Sequence, residues 1–150
     1  MSTHQASSWI DAARTTAVSH EQHESPEKIL FKEESFQIQG VVFEVYKVLG
    51  SGFLESVYQE AFEHELQARN IPFTTQQALA IKYKGHILNQ TYKPDLICFG
   101  KIIVEIKAVV DIRPEHHAQI FKYLKATGIK LGILVNFGSH PKATIKRLVL

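Results

Sequence analysis

The sequence predicts an α/β domain with a mixed central β-sheet flanked by α-helices. Three observations carry that reading. Apolar residues recur at three- and four-residue spacing over 35–49, over 54–69 and again after Pro114, the stripe of amphipathic helices. Between the second and third of these, the pattern shifts to period-two alternation with turn residues at Lys84-Gly85 and at Gly100, which reads as two successive hairpins. With 150 residues, 45% of them hydrophobic and 21% charged, the chain is the size of one domain and buries a core without disulfides or a structural metal.

Each element has its own signal. Residues 1–26 are rich in Ser, Thr, His, Gln and Ala with weak periodicity, and read as a flexible extension in which Trp9 is a docking contact or a loose residue. The folded domain is expected over 27–150. Ile38, Val41, Val42, Val45, Val48 and Leu49 stripe the first helix, and "GSG" at 50–52 ends it. Leu54, Val57, Tyr58, Ala61, Phe62, Glu65 and Leu66 lie along one side of the second, which "RNIP" breaks. "ALAIKYKGHILNQTY" and "DLICFGKIIVEIKAVV" are the two hairpins. Pro114 sits at an allowed early helix position, Ala118, Phe121, Leu124 and Lys125 follow at helical spacing, and Gly128 supplies the stop. "KLGILVNF" is a short apolar strand and "TIKRLVL" an edge strand, giving the order ααββββαβ(β).

Composition excludes several function classes. No apolar run approaches the roughly 20 residues that cross a bilayer, so no membrane partner is expected. A lone Cys98 rules out a disulfide framework and reads as a buried small hydrophobe. The first residues lack a basic segment followed by a continuous apolar one, so the expected location is intracellular, the cytoplasm in the simplest case, with nucleus or organelle as alternatives. Net charge is +2, but residues 101–150 hold nine Lys and Arg against Glu105, Asp111 and Glu115. That half is either a phosphate-facing side or an ordinary solvated surface. The exposed C-terminal edge strand would allow a homodimer.

The chemistry concentrates in "YKPDLICFGKIIVEIKAVV". On the strand from Ile102, alternation puts Ile103, Glu105 and Lys107 on one face and Ile102, Val104, Ile106 and Ala108 on the other. Asp95, on the preceding strand, approaches Glu105 across the sheet. Two carboxylates so placed repel unless a cation lies between them, and a hard oxygen-rich pocket suits Mg²⁺ or Mn²⁺. An internal Asp/Glu–Lys ion pair with no catalytic role explains the same spacing. Gln119 and Tyr123, four residues apart, share a helix face and are able to orient a phosphate or a water. Glu55 is either a first-turn acid complementing the helix dipole or an inward-facing group beside Phe53, Leu54 and Val57. His116 and His117 are adjacent, do not share a helix face, and read as surface residues.

Together, "LGSGFLESVYQEAFEHEL", "IKYKGHIL", "PDLICFGKIIVEIKAV" and "HHAQIFKYLKATGIKLGILVNFG" resemble the GxxExxY protein family, a branch of the PD-(D/E)XK nuclease-like superfamily. The likeness covers about residues 36–150 with its motifs in order. It implies a restriction-endonuclease-like core. It also implies that Asp95 is the metal-binding acid of the PD element, that Glu105 and Lys107 are the acid and lysine of the ExK element, and that the Ile106 backbone carbonyl is a further metal ligand. Gln119 and Tyr123 match the QxxxY element of exonuclease-like branches, and Glu55 the helical acid that joins the metal site there. The implied function is a Mg²⁺- or Mn²⁺-dependent nuclease acting on DNA or RNA, exonuclease-like in character. A non-catalytic nucleic-acid-binding or protein-interaction module on the same fold, or hydrolysis of another phosphoester, are the competing readings.

Overall fold

The computed structural model describes residues 29–150. The predicted extension over 1–26, including Trp9, lies outside them. Helix α1 is Lys32–Leu49, α2 is Glu55–Ala68 and α3 is Pro114–Thr127. The strands are β1 (Phe73–Thr75), β2 (Leu79–Tyr83), β3 (His86–Tyr92), β4 (Leu96–Cys98), β5 (Ile102–Lys107), β6 (Leu131–Asn136) and β7 (Thr144–Val149).

Helix α1 starts ahead of its apolar stripe because its first turn holds Glu33 and Glu34, acids that suit a helix N-terminus but leave no hydrophobic trace. Glu34 also pairs with Lys101 at 2.6 Å. The helix closes at Gly50, whose φ of 67° lets its N–H reach back to Tyr46 O.

Five strands form the central sheet in the order β1-β4-β5-β6-β7. Only β5 and β6 run parallel, joined by a crossover through α3, and the other pairs are antiparallel. The mixed sheet flanked by helices is therefore the predicted architecture. On one side Ile102, Val104 and Ile106 of β5 and Leu131, Ile133 and Val135 of β6 pack with Ile38, Val42, Tyr58, Phe62 and Leu66 of α1 and α2. On the other side Ile103, Leu134 and Leu148 pack with Ile120 and Leu124 of α3 and with Tyr92. The pleat of β5 sorts its side chains as the alternation predicted.

Three expectations are corrected. The first predicted hairpin does form, β2 with β3, but as a separate two-stranded sheet packed on the α3 side. The place beside β4 is taken by β1, which at three residues is too short to show alternation. On α3 the buried residues are Ile120 and Leu124, while Phe121 points outward at 36% exposure. Gly132 of β6 decides this: a Cβ there would lie 2.7 Å from Ile120 Cγ2, so the missing side chain opens the gap that Ile120 fills. Finally, β4 begins at Leu96, so Asp95 stands just before the strand.

Candidate active site

The site is assembled where β4 and β5 meet the end of the hairpin. The antiparallel register sets Leu96 opposite Val104, and Asp95, the residue before Leu96, hydrogen-bonds Glu105, the residue after Val104. Asp95 Oδ2 accepts the Ile106 N–H at 2.8 Å, which fixes its carboxylate against β5. Ile106 thus gives its side chain to the core and its backbone to the site. Gln59 of α2 adds a long 3.5 Å hydrogen bond to Asp95 O.

Burial raises the Glu105 pKa to about 8, and the neighbouring Asp95 charge and hydrogen bond add to the rise. Opposing it, Tyr92 donates its hydroxyl hydrogen to Glu105 Oε1. Burial, and then the Glu105 charge, hold that phenol protonated by pushing its own pKa far up. Lys107 lowers the Glu105 pKa only as a minor influence, and among the described residues it forms no salt bridge within 4 Å. The closed Asp/Glu–Lys ion pair, the non-catalytic explanation of the spacing, is therefore not what forms.

A cleft of about 310 Å³ opens here, lined by Glu105, Lys107, Gln119, Tyr123, Tyr92 and His116 among others. Gln119 Nε2 lies 3.5 Å from Tyr123 OH, so the two polar groups predicted to share a helix face do so over the cleft. The Tyr123 ring stacks on Tyr92, with centroids 3.5 Å apart and planes 3° from parallel. This stack ties α3 to the residue that holds Glu105.

A family model described as the PD-(D/E)XK nuclease superfamily matches residues 32–148. The chain belongs to that superfamily. Its mixed sheet between helices is the PD-(D/E)XK nuclease fold. The match is to the superfamily as a whole, and the narrower GxxExxY likeness rests on the sequence motifs. A solved structure described as "Crystal structure of SSO0001" is similar at 16% identity and a TM-score of 0.48 over 96% of this chain, which spans 65% of that one. No curated protein matches.

The expected site residues Asp95, Glu105 and Lys107 come together here, with Gln119 and Tyr123 beside them. Glu55, first residue of α2, is solvent-exposed as a residue. Its carboxyl nevertheless senses the site: partial burial raises its pKa, Lys107 opposes the rise, Asp95 adds to it and His116 opposes it. Tyr58, one turn later, is buried and holds the loop that precedes Glu55. Its hydroxyl donates to Gly50 O and accepts the Phe53 N–H, pinning the loop from which α2 starts.

Two cleft residues escaped the sequence reading. Tyr92 closes β3 and looks like one more alternating strand residue. His116, expected at the surface, lines the cleft instead, and its Nδ1 accepts the Arg113 N–H at 3.0 Å. That leaves Nε2 as the nitrogen available to a ligand. Its adjacency to His117 argued only against a metal pair. Cys98 is buried as expected, and burial pushes its thiol up to about 12.

PD-(D/E)XK nucleases generally use divalent metals. Among the described residues no three His, Cys, Asp or Glu side chains form a ready metal cage. The donor set nevertheless fits Mg²⁺ or Mn²⁺: two facing carboxyls share one place, neither in a salt bridge among the described residues, and Mg²⁺ typically takes one or two carboxylates and keeps several waters. Among the described residues no helix is long and apolar enough to cross a membrane.

Proposed function

We propose that the chain is a metal-dependent nuclease that hydrolyses phosphodiester bonds of DNA or RNA. The observation that carries this reading is the pair of facing carboxyls, Asp95 and Glu105, with Glu105 and Lys107 lining an open cleft. Asp95, Glu105 and the Ile106 carbonyl would hold Mg²⁺ or Mn²⁺, and Glu55 would join them from α2. Such an ion, when bound, polarises a phosphoryl oxygen and lowers the pKa of a bound water. The Lys107 ammonium orients the attacking water and stabilises charge that builds on the phosphate. Tyr92 keeps Glu105 in one orientation through its hydrogen bond. Gln119 and Tyr123 position the strand, and their likeness to the QxxxY element favours exonuclease-like action within the GxxExxY branch. The folded unit would be residues 27–150, acting inside the cell.

The test is cleavage of end-labelled single- and double-stranded DNA and RNA with Mg²⁺, Mn²⁺ or EDTA, beside folded Glu105→Ala and Lys107→Ala. Metal-dependent cleavage that falls more than about 100-fold in both variants is expected. Absence of both cleavage and calorimetric Mn²⁺ binding in the folded wild type would replace this reading with a non-catalytic binding module.

A further inference from the structure

The β2–β3 hairpin is the least covered part of the described chain. Residues 82–91 are all exposed, among them Tyr83 at 59% and Ile87 at 68%. A two-stranded ribbon is at best marginally stable alone, and this one is anchored only near its base, where Leu79, Ile81 and Tyr92 join the α3-side core. Its tip is shaped by a turn in which Lys84 and Gly85 both have positive φ, the geometry that matches strand twist in a tight hairpin. At that tip Tyr83 pairs with His86 and Lys82 with Ile87. Lys84 Nζ sits 5.5 Å from the Tyr83 ring centroid.

Charge tells what such a surface suits. Residues 66–94 contain no Asp or Glu, while Lys82, Lys84 and Lys93 are exposed along the hairpin and its exit. The ribbon also leads into the cleft: β3 ends at Tyr92, and Thr91, Tyr92 and Lys93 line the wall shared with Glu105 and Lys107. From His86 to Tyr92 a strand extends roughly 20 Å, so the tip lies several nucleotides away from the carboxylates. Exposed aromatic rings set among lysines are the recurring platform for unpaired bases, because every base offers a face to stack while the lysines meet its phosphate. Paired bases offer Tyr83 no such face.

We propose that the β2–β3 hairpin is an arm that grips a single-stranded segment of the nucleic acid outside the cleft, with Tyr83 as its stacking platform and Lys82 and Lys84 as its phosphate contacts. The choice of nucleic acid rests on the proposed nuclease function. The arm accounts for an acid-free, nearly uncovered ribbon that the cleft chemistry alone does not require.

The experiment is fluorescence anisotropy in EDTA, where no turnover occurs, using labelled single-stranded and duplex 20-nucleotide DNA and RNA with the full chain. Tyr83→Ala is expected to weaken single-strand binding about 5-fold or more and duplex binding less, while Tyr83→Phe binds as wild type. Lys82→Ala combined with Lys84→Ala should flatten the dependence of log K on log salt by about 1.4 for single strands. Metal-dependent hydrolysis of bis(p-nitrophenyl) phosphate, too small to reach the tip, should be unchanged in every variant. Wild-type-like single-strand binding by Tyr83→Ala and by the double lysine variant overturns the arm, whatever the hydrolysis shows. Binding lost in the variants, with neither nucleic-acid cleavage nor Mn²⁺ binding by the wild type, keeps the arm and ends the nuclease reading. Light scattering that finds a wild-type dimer made monomeric by Tyr83→Ala would assign the hairpin to a second copy of the chain and overturn the proposal.

Discussion

Strand β5 turns Ile102, Val104 and Ile106 into a core where each is fully buried, and turns Glu105 and Lys107 into an open cleft. The contrast is sharpest at one end. Near its start the second face is still apolar, with Ile103 fully buried against the α3-side core. Its charges come only towards the carboxyl end, where β5 and its parallel neighbour β6 run out and ligand sites of α/β sheets form. Asn136, almost fully buried at the end of β6, bonds both the N–H and the carbonyl of Val109 and so clamps the chain that leaves β5. The pleat separates stability from chemistry by one residue, so the two are separately breakable.

The largest expected effect breaks the comparison with one substitution on each face. Glu105→Gln should lower cleavage more than about 100-fold while the melting temperature holds or rises. Ile102→Ala, on the opposite face, should cost about 2–5 kcal/mol of stability. Below its lowered melting temperature, its specific activity should stay near wild type. Paired melting curves and cleavage rates decide the matter, and a Glu105→Gln protein that fails to fold would show that the two faces are not separable.

A smaller effect sharpens the comparison through pH. Burial and Asp95 raise the Glu105 pKa from 4.5 to about 8, so between those values the folded, metal-free protein keeps a proton that the unfolded chain releases. Stability must therefore fall as pH rises through that window, and Glu55, also raised, adds to the fall. In EDTA the melting temperature at pH 9 should lie several degrees below that at pH 5, with a smaller drop in Glu105→Gln. Adding Mn²⁺ at the higher pH should restore the wild type by preferential binding to the folded state, and not the variant. An identical pH slope in the two proteins would place the titrating group elsewhere.

Most of this contrast was legible in the sequence because it depends on short-range periodicity. Alternation sorts Ile102 to Lys107 onto two faces without any tertiary information, and "FG" between β4 and β5 supplies the turn that brings Asp95 back to Glu105. Features set by distant packing were not legible. Tyr92 finds Glu105 across 13 residues only because the hairpin folds over the α3 side, and the side chain by itself carries no mark of that. The outward turn of Phe121 depends on Gly132, which belongs to another strand. The separation of β2 and β3 from the central sheet depends on β1, whose three residues have too short a pattern to read.

Tyr58 carries the smallest expected effect, and the one that tests how the core reaches into the site. Its ring stacks on Phe137 with centroids 4.6 Å apart, deep in the apolar face, while its hydroxyl holds the Gly50 carbonyl and the Phe53 N–H ahead of Glu55. Tyr58→Phe keeps the stack and removes the hold, at a cost of about 1 kcal/mol from the lost hydrogen bonds. If loop and acid work together, cleavage should also slow a few-fold, because Glu55 is then less well aimed. Measuring both in a Glu55→Gln background separates the two roles, since a residue that acts through Glu55 has nothing further to lose there. Equal slowing in both backgrounds would confine Tyr58 to the core. A slowing present only with Glu55 would mean that the three-residue step from Glu55 to Tyr58 couples one helix turn of the stable face to the chemistry of the other.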